Sequence, residues 1–455
     1  MRAGTGDEDD GGDRGDRDDP PGAGAGGAAG ELPCVVAGGG PAGVVLGLLL
    51  ARAGVRVLVL EKHEDFLRDF RGDTVHPSTL RLLDELGLAE EFLRLPHARV
   101  ERASATTDDG TFTVADFSRL PGRFPFLALV PQWDFLDLLA SSARRHPGFE
   151  LRTGARVLGL LHEGGRVAGL RYRAADGAEH EVRAALTVAA DGRGSVLRAA
   201  AGLPLRVFGV GVDVLWFRLP RPAGAVPPTG ARLSAGRFAV VLDRGTHLQC
   251  AYVVPAGGLE AVRERGLSAF RADVARLLPD LAGVVGHLTS TGDLHVLRVR
   301  VDRLRRWHRD GLLVVGDAAH AMSPVGGVGV NLAVQDAVAA ARLLAGPLRR
   351  GRPSPRELAR VRRRRWLPVA LTQAAQRVAH RRVLEASLGR EGPVRAPAVL
   401  RLLQRVPVLQ VLPAAAIGLG VLTEHPPPEH PPPEHPPPGA PPAGDVALDT
   451  SAMYR

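Results

Sequence analysis

The sequence predicts an α/β fold in which a parallel, nucleotide-binding sheet is interrupted by an antiparallel insertion and followed by helices. Three observations carry this expectation. A strand, a glycine turn, a helix and a second strand follow one another between Cys34 and Glu61. Two further apolar strands, Leu186 to Ala190 and Leu312 to Val315, each run into an acid beside glycine, Asp191-Gly192 and Gly316-Asp317. Between these, the chain alternates with the two-residue period of half-buried antiparallel strands.

The first unit is a Rossmann-like turn, Gly38, Gly40, Pro41, Ala42 and Gly43, fitting G-x-G-x-x-G. Gly38 permits the tight turn, Gly40 lets a pyrophosphate approach the backbone, and Gly43 lets helix and strand pack closely. The helix N-terminus offers unpaired N–H groups to phosphate. Glu61 stands 18 residues past the last glycine, where an acid binds ribose hydroxyls, and Lys62 follows it directly. This unit specifies a dinucleotide without choosing one.

The remaining elements follow in order. Ser78 to Leu93 has helical spacing, with Ser78 as its cap. Arg99 to Phe117 is a hairpin around Asp108-Asp109-Gly110, Asp134 to Arg145 a helix, and Leu151 to Arg173 a strand pair turning at Gly164-Gly165. Val212 to Leu219 and Arg237 to Val254 are antiparallel strands, the latter turning at Asp243-Arg244-Gly245. Gly257 to Leu281 is helical and His295 to Val301 a strand. A glycine loop, Pro324 to Asn331, then opens a long alanine-rich helix, Leu332 to Ala345. The expected boundaries are a disordered segment 1–30; nucleotide-binding parts 31–97, 128–203 and 295–346; a substrate domain from hairpin 98–127 and segment 204–294; C-terminal helices 347–423; and a disordered proline-rich tail 424–455. That tail opens with three copies of Glu-His-Pro-Pro-Pro, which exclude helix and central strand. Its histidines, His425, His430 and His435, are given no metal or catalytic role.

Composition narrows the class. Of the 455 residues, 45% are hydrophobic and 24% charged, as in soluble globular proteins. The net charge of +9 is uneven: residues 1–30 contribute −5 and the rest +14. Arg342 to Arg382 holds thirteen arginines and one acid, Glu357. Without a recognition motif this stretch is read as a solvated helix face, so no nucleic-acid partner is expected. The apolar stretch Val406 to Leu422 is short and broken by prolines, so neither a membrane span nor a membrane-surface contact of the C-terminal region is favoured. Cys34 and Cys250 sit apart in apolar strands and no secretory signal opens the chain, which points to a cytoplasmic, reducing compartment.

The second and third acid–glycine motifs lie 148 and then 126 residues downstream of their predecessors, each at the end of an apolar strand. Two glycine turns entering helices provide two anion sites, and one nucleotide spanning both fits a flavin dinucleotide better than NAD. The constellation resembles the FAD-dependent monooxygenases of the para-hydroxybenzoate hydroxylase type, the single-component aromatic hydroxylases, over about residues 31–426. The resemblance implies a Rossmann-like FAD-binding domain interrupted by an antiparallel-sheet substrate domain. It places Gly38, Gly40, Gly43 and Glu61, flanked by Lys62, at the ADP half of FAD, and Arg71, Gln132 and Val157 near it. Asp191 then belongs to an Asp-Gly motif serving FAD and pyridine nucleotide, Asp317 to the ribityl chain, and Pro324, Gly327, Gly329, Val330 and Asn331 to the isoalloxazine wall. It further implies NADPH or NADH as a transient reductant, because no second Rossmann fingerprint occurs. O2 would then oxygenate a hydrophobic aromatic or polyketide-like molecule through a flavin hydroperoxide, as in bacterial secondary metabolism.

His76 is the candidate base for a phenolic substrate, and Trp216 and Tyr252 the candidate substrate contacts, with core packing the alternative for each. His320 is assigned to the structural Gly-Asp motif. Three rivals share the scaffold. A flavin halogenase would need a Trp-x-Trp-x-Ile-Pro motif and a substrate-side lysine, and neither occurs. A reductase of isoprenoid double bonds is kept open by the apolar segment Val394 to Leu422. A non-catalytic FAD-binding scaffold would dock through Arg342 to Arg382, but has no use for an intact flavin-facing loop.

Overall fold

The computed structural model describes residues 31–66, 74–224, 226–387 and 392–429. Arg71, the expected segment 1–30 and the tail from residue 430 lie outside the described residues.

An eight-stranded sheet organises the first layer. Its central strand, Leu32–Ala37, pairs in parallel with Glu179–Ala189 on one side and Val57–Leu60 on the other. Leu312–Val314 and Phe149–Arg152 extend the sheet in parallel at either flank. The central strand has no polar side chain because both faces are covered. Cys34 and Val36 pack on the core with helices Pro41–Arg52, Gln132–Arg144 and Val328–Arg350, while Val35 and Ala37 pack on the opposite core with Leu170, Tyr172 and Trp307. Register decides where the chemistry goes. Ala37 pairs with both Leu60 and Ala189, and Ala189 pairs with Val314. The three sequence motifs therefore leave the sheet at one carboxyl edge.

A seven-stranded sheet forms the second layer, in the order His295–Arg298, Val212–Pro220, His247–Pro255, Arg237–Asp243, Gly230–Ser234, Arg102–Thr107, Gly110–Asp116. The hairpin near residue 110 joins it through a parallel pairing of Gly230–Ser234 with Arg102–Thr107. One face is closed by Leu267–Leu277, whose Phe270 and Val274 pack on Leu215, Phe217, Cys250 and Tyr252. The other face carries Val214, Trp216, Val240, Val253 and Leu297.

Several boundaries differ from expectation, each for a local reason. The helix expected over Ser78 to Leu93 is two, Pro77–Glu85 and Ala89–Arg94, separated at Gly87, whose φ of +72° ends the first. Ser78 is not the cap; His76 holds that position and makes no side-chain capping bond. The helix expected over 257–281 breaks in the same way at Gly266 (φ +85°). The helix after the glycine loop runs Val328–Arg350, across the expected 346/347 boundary and through Pro347.

Two readings of the C-terminal region are corrected. The arginine-rich helix, Pro355–Ser387, is not simply a solvated face: Arg365 is 1% exposed. The tail does not begin at residue 424. Glu424 is buried, pairs with Arg364 (2.7 Å) and Arg365 (3.6 Å), and donates its backbone N–H to Gln335 Oε1 (2.6 Å). His425 reaches Glu85 (2.7 Å) and Glu429 reaches Arg52 (3.0 Å). Free carboxylates placed five residues apart on a stiff chain meet successive basic groups, which composition alone does not reveal.

Candidate active site

The glycine turn separates its glycines by role. A Cβ on Gly38, whose φ is +107°, would stand 2.4 Å from Ala190 O, and one on Gly43 would stand 1.8 Å from Gly38 O. Both positions are closed by neighbouring backbone. A Cβ on Gly40 would meet nothing within 4 Å. That open cradle lies at the N-terminus of Pro41–Arg52, where the first backbone N–H groups have no helical acceptor. Glu61 is buried and fixes the turn, accepting from Gly39 N–H (2.7 Å) and His63 N–H (3.1 Å). Lys62 is exposed. Val157 is half-buried on Arg156–Glu163, just past Ala155, whose N–H donates to Glu61 O (2.7 Å). Gln132 occupies the first position of Gln132–Arg144.

The second and third motifs are clipped together. Asp191 Oδ2 accepts from Val196 N–H (2.8 Å) and Leu197 N–H (3.3 Å), while its Oδ1 is buried without a partner. A carboxylate oxygen in that state costs free energy unless a donor reaches it. Arg193 Nε donates to Asp317 Oδ2 at 3.0 Å. Arg198 is buried and donates to Ala318 O (2.8 Å) and Arg193 O (2.9 Å). Ala42, Gly316 and Ala333 converge behind them: a Cβ on Gly316 would lie 3.2 Å from Ala42 Cβ and 3.4 Å from Ala333 Cβ. Beside Arg193 a cavity of 490 Å³ opens toward Asp213, Leu297 and Arg298.

The glycine loop completes the edge. Pro324 precedes a 3-10 turn in which Gly326 and Gly327 both take positive φ (+80° and +63°) and Gly327 N–H donates back to Pro324 O (3.0 Å), which leaves the first-turn N–H groups of the following helix open. Gly329 and Val330 form the first turn of Val328–Arg350, and Asn331 is buried next to them. Ser78 Oγ (2.9 Å) and Thr79 Oγ1 (2.6 Å) both donate to Asn331 Oδ1, which fixes the orientation of its amide.

His76 is not placed to act as a base. It is fully buried, with Nδ1 2.8 Å from Ile417 O and Nε2 3.1 Å from Gly327 O. Burial holds its pKa below the ordinary value, against the pull of the two carbonyls. Both ring nitrogens face backbone carbonyls, one in the glycine loop and one in the C-terminal helix Val411–Gly418, and the neutral ring donates its single N–H to one of them. Tyr252 is corrected too. It lies on the helix-covered face, edge-on to Phe270 (5.3 Å between centroids), and burial pushes its hydroxyl up to about 12. Trp216, one step out of phase, lies on the opposite face with Nε1 buried and partnerless.

Two supporting arrays were not anticipated. His320 Nε2 stands 2.5 Å from Asp336 Oδ2, which also accepts from Gly316 N–H (3.1 Å); Asp336 Oδ1 accepts from Arg365 Nε (3.0 Å). Burial alone would raise the Asp336 pKa, but His320 and Arg365 outweigh it and hold the carboxyl below its usual range. Further along the same helix, Gln373 donates to Asp302 O and Ala321 O, Gln376 to Ser323 O and Val325 O, and His380 meets Ser323 Oγ at 2.5 Å. The sequence signal was available: Leu358, Val361, Arg365, Val369, Gln373, Gln376 and His380 recur at helical spacing.

The edge suits FAD on these observations: the open cradle at Gly40, the orphaned oxygen of Asp191 and the glycine loop opening a second helix. Known proteins agree. The family described as FAD binding domain matches residues 31–374. The 6-methylpretetramide 4-monooxygenase of Streptomyces rimosus is 38% identical over 82% of this chain and 89% of its own length. The rifampicin monooxygenase of Streptomyces venezuelae is 30% identical over 67% of this chain and 62% of its own. The solved OxyS anhydrotetracycline hydroxylase from Streptomyces rimosus superposes with a TM-score of 0.66 at 25% identity, covering 85% of this chain and 75% of that one. The chain belongs to the FAD-binding domain family and is one of its FAD-dependent monooxygenases.

Proposed function

We propose that the protein oxygenates an aromatic polyketide-like small molecule, with Gly38 to Gly43 and Glu61 holding the ADP half of FAD. The single observation that carries this is the alignment of three motifs at one sheet edge by the Ala37, Leu60, Ala189 and Val314 register. Asp317 and Asp191 are the acceptors for the polyol and its surroundings, with Gln132 and Val157 alongside. The glycine loop from Pro324 through Gly327, Gly329, Val330 and Asn331 walls the flavin ring, and the first-turn N–H groups of Val328–Arg350 are the donors for the negative charge that accumulates there. When bound, FAD supplies hydride acceptance from NADPH or NADH and activation of O2 for transfer of one oxygen atom.

The chain's own residues do the rest. His320, Asp336 and Arg365 hold Gly316, and His76 packs on Gly327, so the motif for the ribityl chain and the loop for the ring are each backed by buried groups. Trp216 offers an indole N–H and an apolar face to the substrate, which fits a hydrophobic ring bearing oxygen substituents. The hairpin with residues 204–294 forms the substrate half, and 31–97, 128–203 and 295–346 the cofactor half. The buried cysteines suit a reducing cytoplasm.

The test is direct. The purified protein should carry a flavin spectrum, oxidise NADPH or NADH faster when given a tetracyclic polyketide phenol, consume O2 and return a product one oxygen heavier. Retained flavin that no nicotinamide reduces would identify a scaffold instead, and a saturated isoprenoid product without O2 uptake would identify a reductase.

A further inference from the structure

We propose that Arg206, Arg303, Arg362 and Arg377, walled by Phe208 and Trp366, form a binding site for the phosphate group of a small phosphate ester. The site lies away from the sheet edge that holds the three motifs. It is built where the two-stranded ribbon of Leu205–Phe208 and Val301–Leu304 meets the arginine-rich helix Pro355–Ser387.

The argument begins with a placement that costs free energy. Arg206 and Arg303 are direct partners across the antiparallel ribbon. Like charges directly opposite one another destabilise a strand pair. The helix adds Arg377, whose guanidinium shares the Phe208 ring, and Arg362, whose charge acts on Arg303. None of the four has a carboxylate within ion-pair distance among the described residues. Three of them share an aromatic partner: the guanidinium carbons of Arg377, Arg206 and Arg303 lie 4.7, 5.1 and 5.7 Å from the Phe208 centroid, and Arg303 lies 5.1 Å from that of Trp366. Arg303 Nη1 and Arg362 Nε are buried without any acceptor. Burial, then Arg206, Arg362 and Arg377, hold the Arg303 pKa below its ordinary value.

Cation–π contacts recover only part of such a cost. A dianionic phosphate recovers the remainder, because its oxygens accept from planar guanidinium groups in pairs. A monocarboxylate leaves most of the charge uncompensated. The exposed Trp366 ring suits an organic ester, since it gives a flat substituent something to lie against. A bound ester would also be felt at the cofactor edge. Leu304 N–H donates to Ala319 O (2.8 Å) and Asp302 Oδ1 accepts from Ala321 N–H (3.1 Å), so the ribbon is bonded directly to the segment after Asp317.

Trp366 is 38% exposed and reports on the site. Inorganic pyrophosphate titrated into the FAD-loaded protein should change tryptophan fluorescence saturably, and the change should vanish in W366F. Arg206→Gln, at an exposed position, should weaken binding about tenfold, the loss of one charge-assisted contact. Its circular dichroism and FAD content should be unchanged. Competition by NADPH but not NADH assigns the phosphate to the reductant's ribose. Competition by both assigns it to the shared pyrophosphate, and by neither to another phosphorylated metabolite. No saturable change, equal affinity in Arg206→Gln, or binding confined to a single-stranded oligonucleotide overturns the proposal. FAD retention and nicotinamide oxidation are read separately, so failure here leaves the monooxygenase assignment standing.

Discussion

At the residue scale, two glycines three positions apart make opposite demands on a methyl group. Gly40 has φ −75° and ψ −176°, which any residue adopts, and open space where a Cβ would go. Gly40→Ala should therefore fold with nearly unchanged stability and lose FAD, because the methyl occupies the phosphate cradle. Gly43→Ala places its methyl 1.8 Å from Gly38 O and should cost about 3 kcal/mol or more, because backbone has to move. Urea unfolding of both variants, with flavin content measured alongside, separates the effects; equal destabilisation would remove the distinction between cradle and packing glycine. The G-x-G-x-x-G spacing was legible in sequence, and so were the tight turn at Gly38 and the close packing at Gly43, since both follow from where a Cβ points. What His76 does was not legible. A lone histidine before a helix carries no mark of which carbonyls will approach it, and only the fold brings Ile417 and Gly327 to its two nitrogens.

At the scale of elements, alternation along a strand decides what a residue type cannot. Trp216 pairs with Ala251 and Leu215 with Tyr252, so the tryptophan and the tyrosine point to opposite faces of the sheet. Their strands were correctly expected, but not which face a helix would cover; that is settled by Leu267–Leu277, a long-range contact. Tyr252→Phe should leave kcat and KM within about twofold, because the hydroxyl serves only the packed face. Trp216→Ala should raise KM for substrate about tenfold or more, the loss of a large apolar contact and an N–H donor, with flavin content unchanged. Steady-state kinetics on the two variants checks this, and the reverse pattern would place substrate on the helix side. The arginine-rich helix teaches the same lesson from composition. Its charge count suggested a solvated face, yet its inward stripe carries Arg365 to Asp336 and Gln373 and Gln376 to the segment behind the glycine loop. A polar residue recurring on an otherwise apolar helical stripe is the signal that composition averages away.

For the whole molecule, buried groups couple acid stability to the C-terminus. His76 and His380 both have pKa values held down by burial. Below the ordinary histidine value of 6.5, the unfolded chain takes up protons that these sites refuse, so stability is full above about pH 6.5 and falls as the pH drops below it. Midpoints of urea unfolding across that range should decline toward acid, and a flat profile would mean the two rings titrate normally. The Glu-His-Pro-Pro-Pro repeat supplies the second test. Glu424 puts its carboxylate against Arg364 and Arg365 in a buried network that ends, through Asp336, on Gly316 N–H. Removing residues 430–455 deletes most of the repeat but leaves every one of these contacts, and should change neither stability nor FAD retention. Removing residues 424–455 strips the buried arginine of one carboxylate and Gln335 Oε1 of its donor, Glu424 N–H. Breaking a buried pair from one side costs about 3 kcal/mol, so this shorter chain should unfold at lower urea and release FAD more readily, because the wall behind Gly316 is loosened. Glu424→Gln in the full-length chain should reproduce most of that loss while keeping the backbone N–H bond. If the two truncations behave alike, the first repeat is as dispensable as its copies, and the cofactor edge is braced without it.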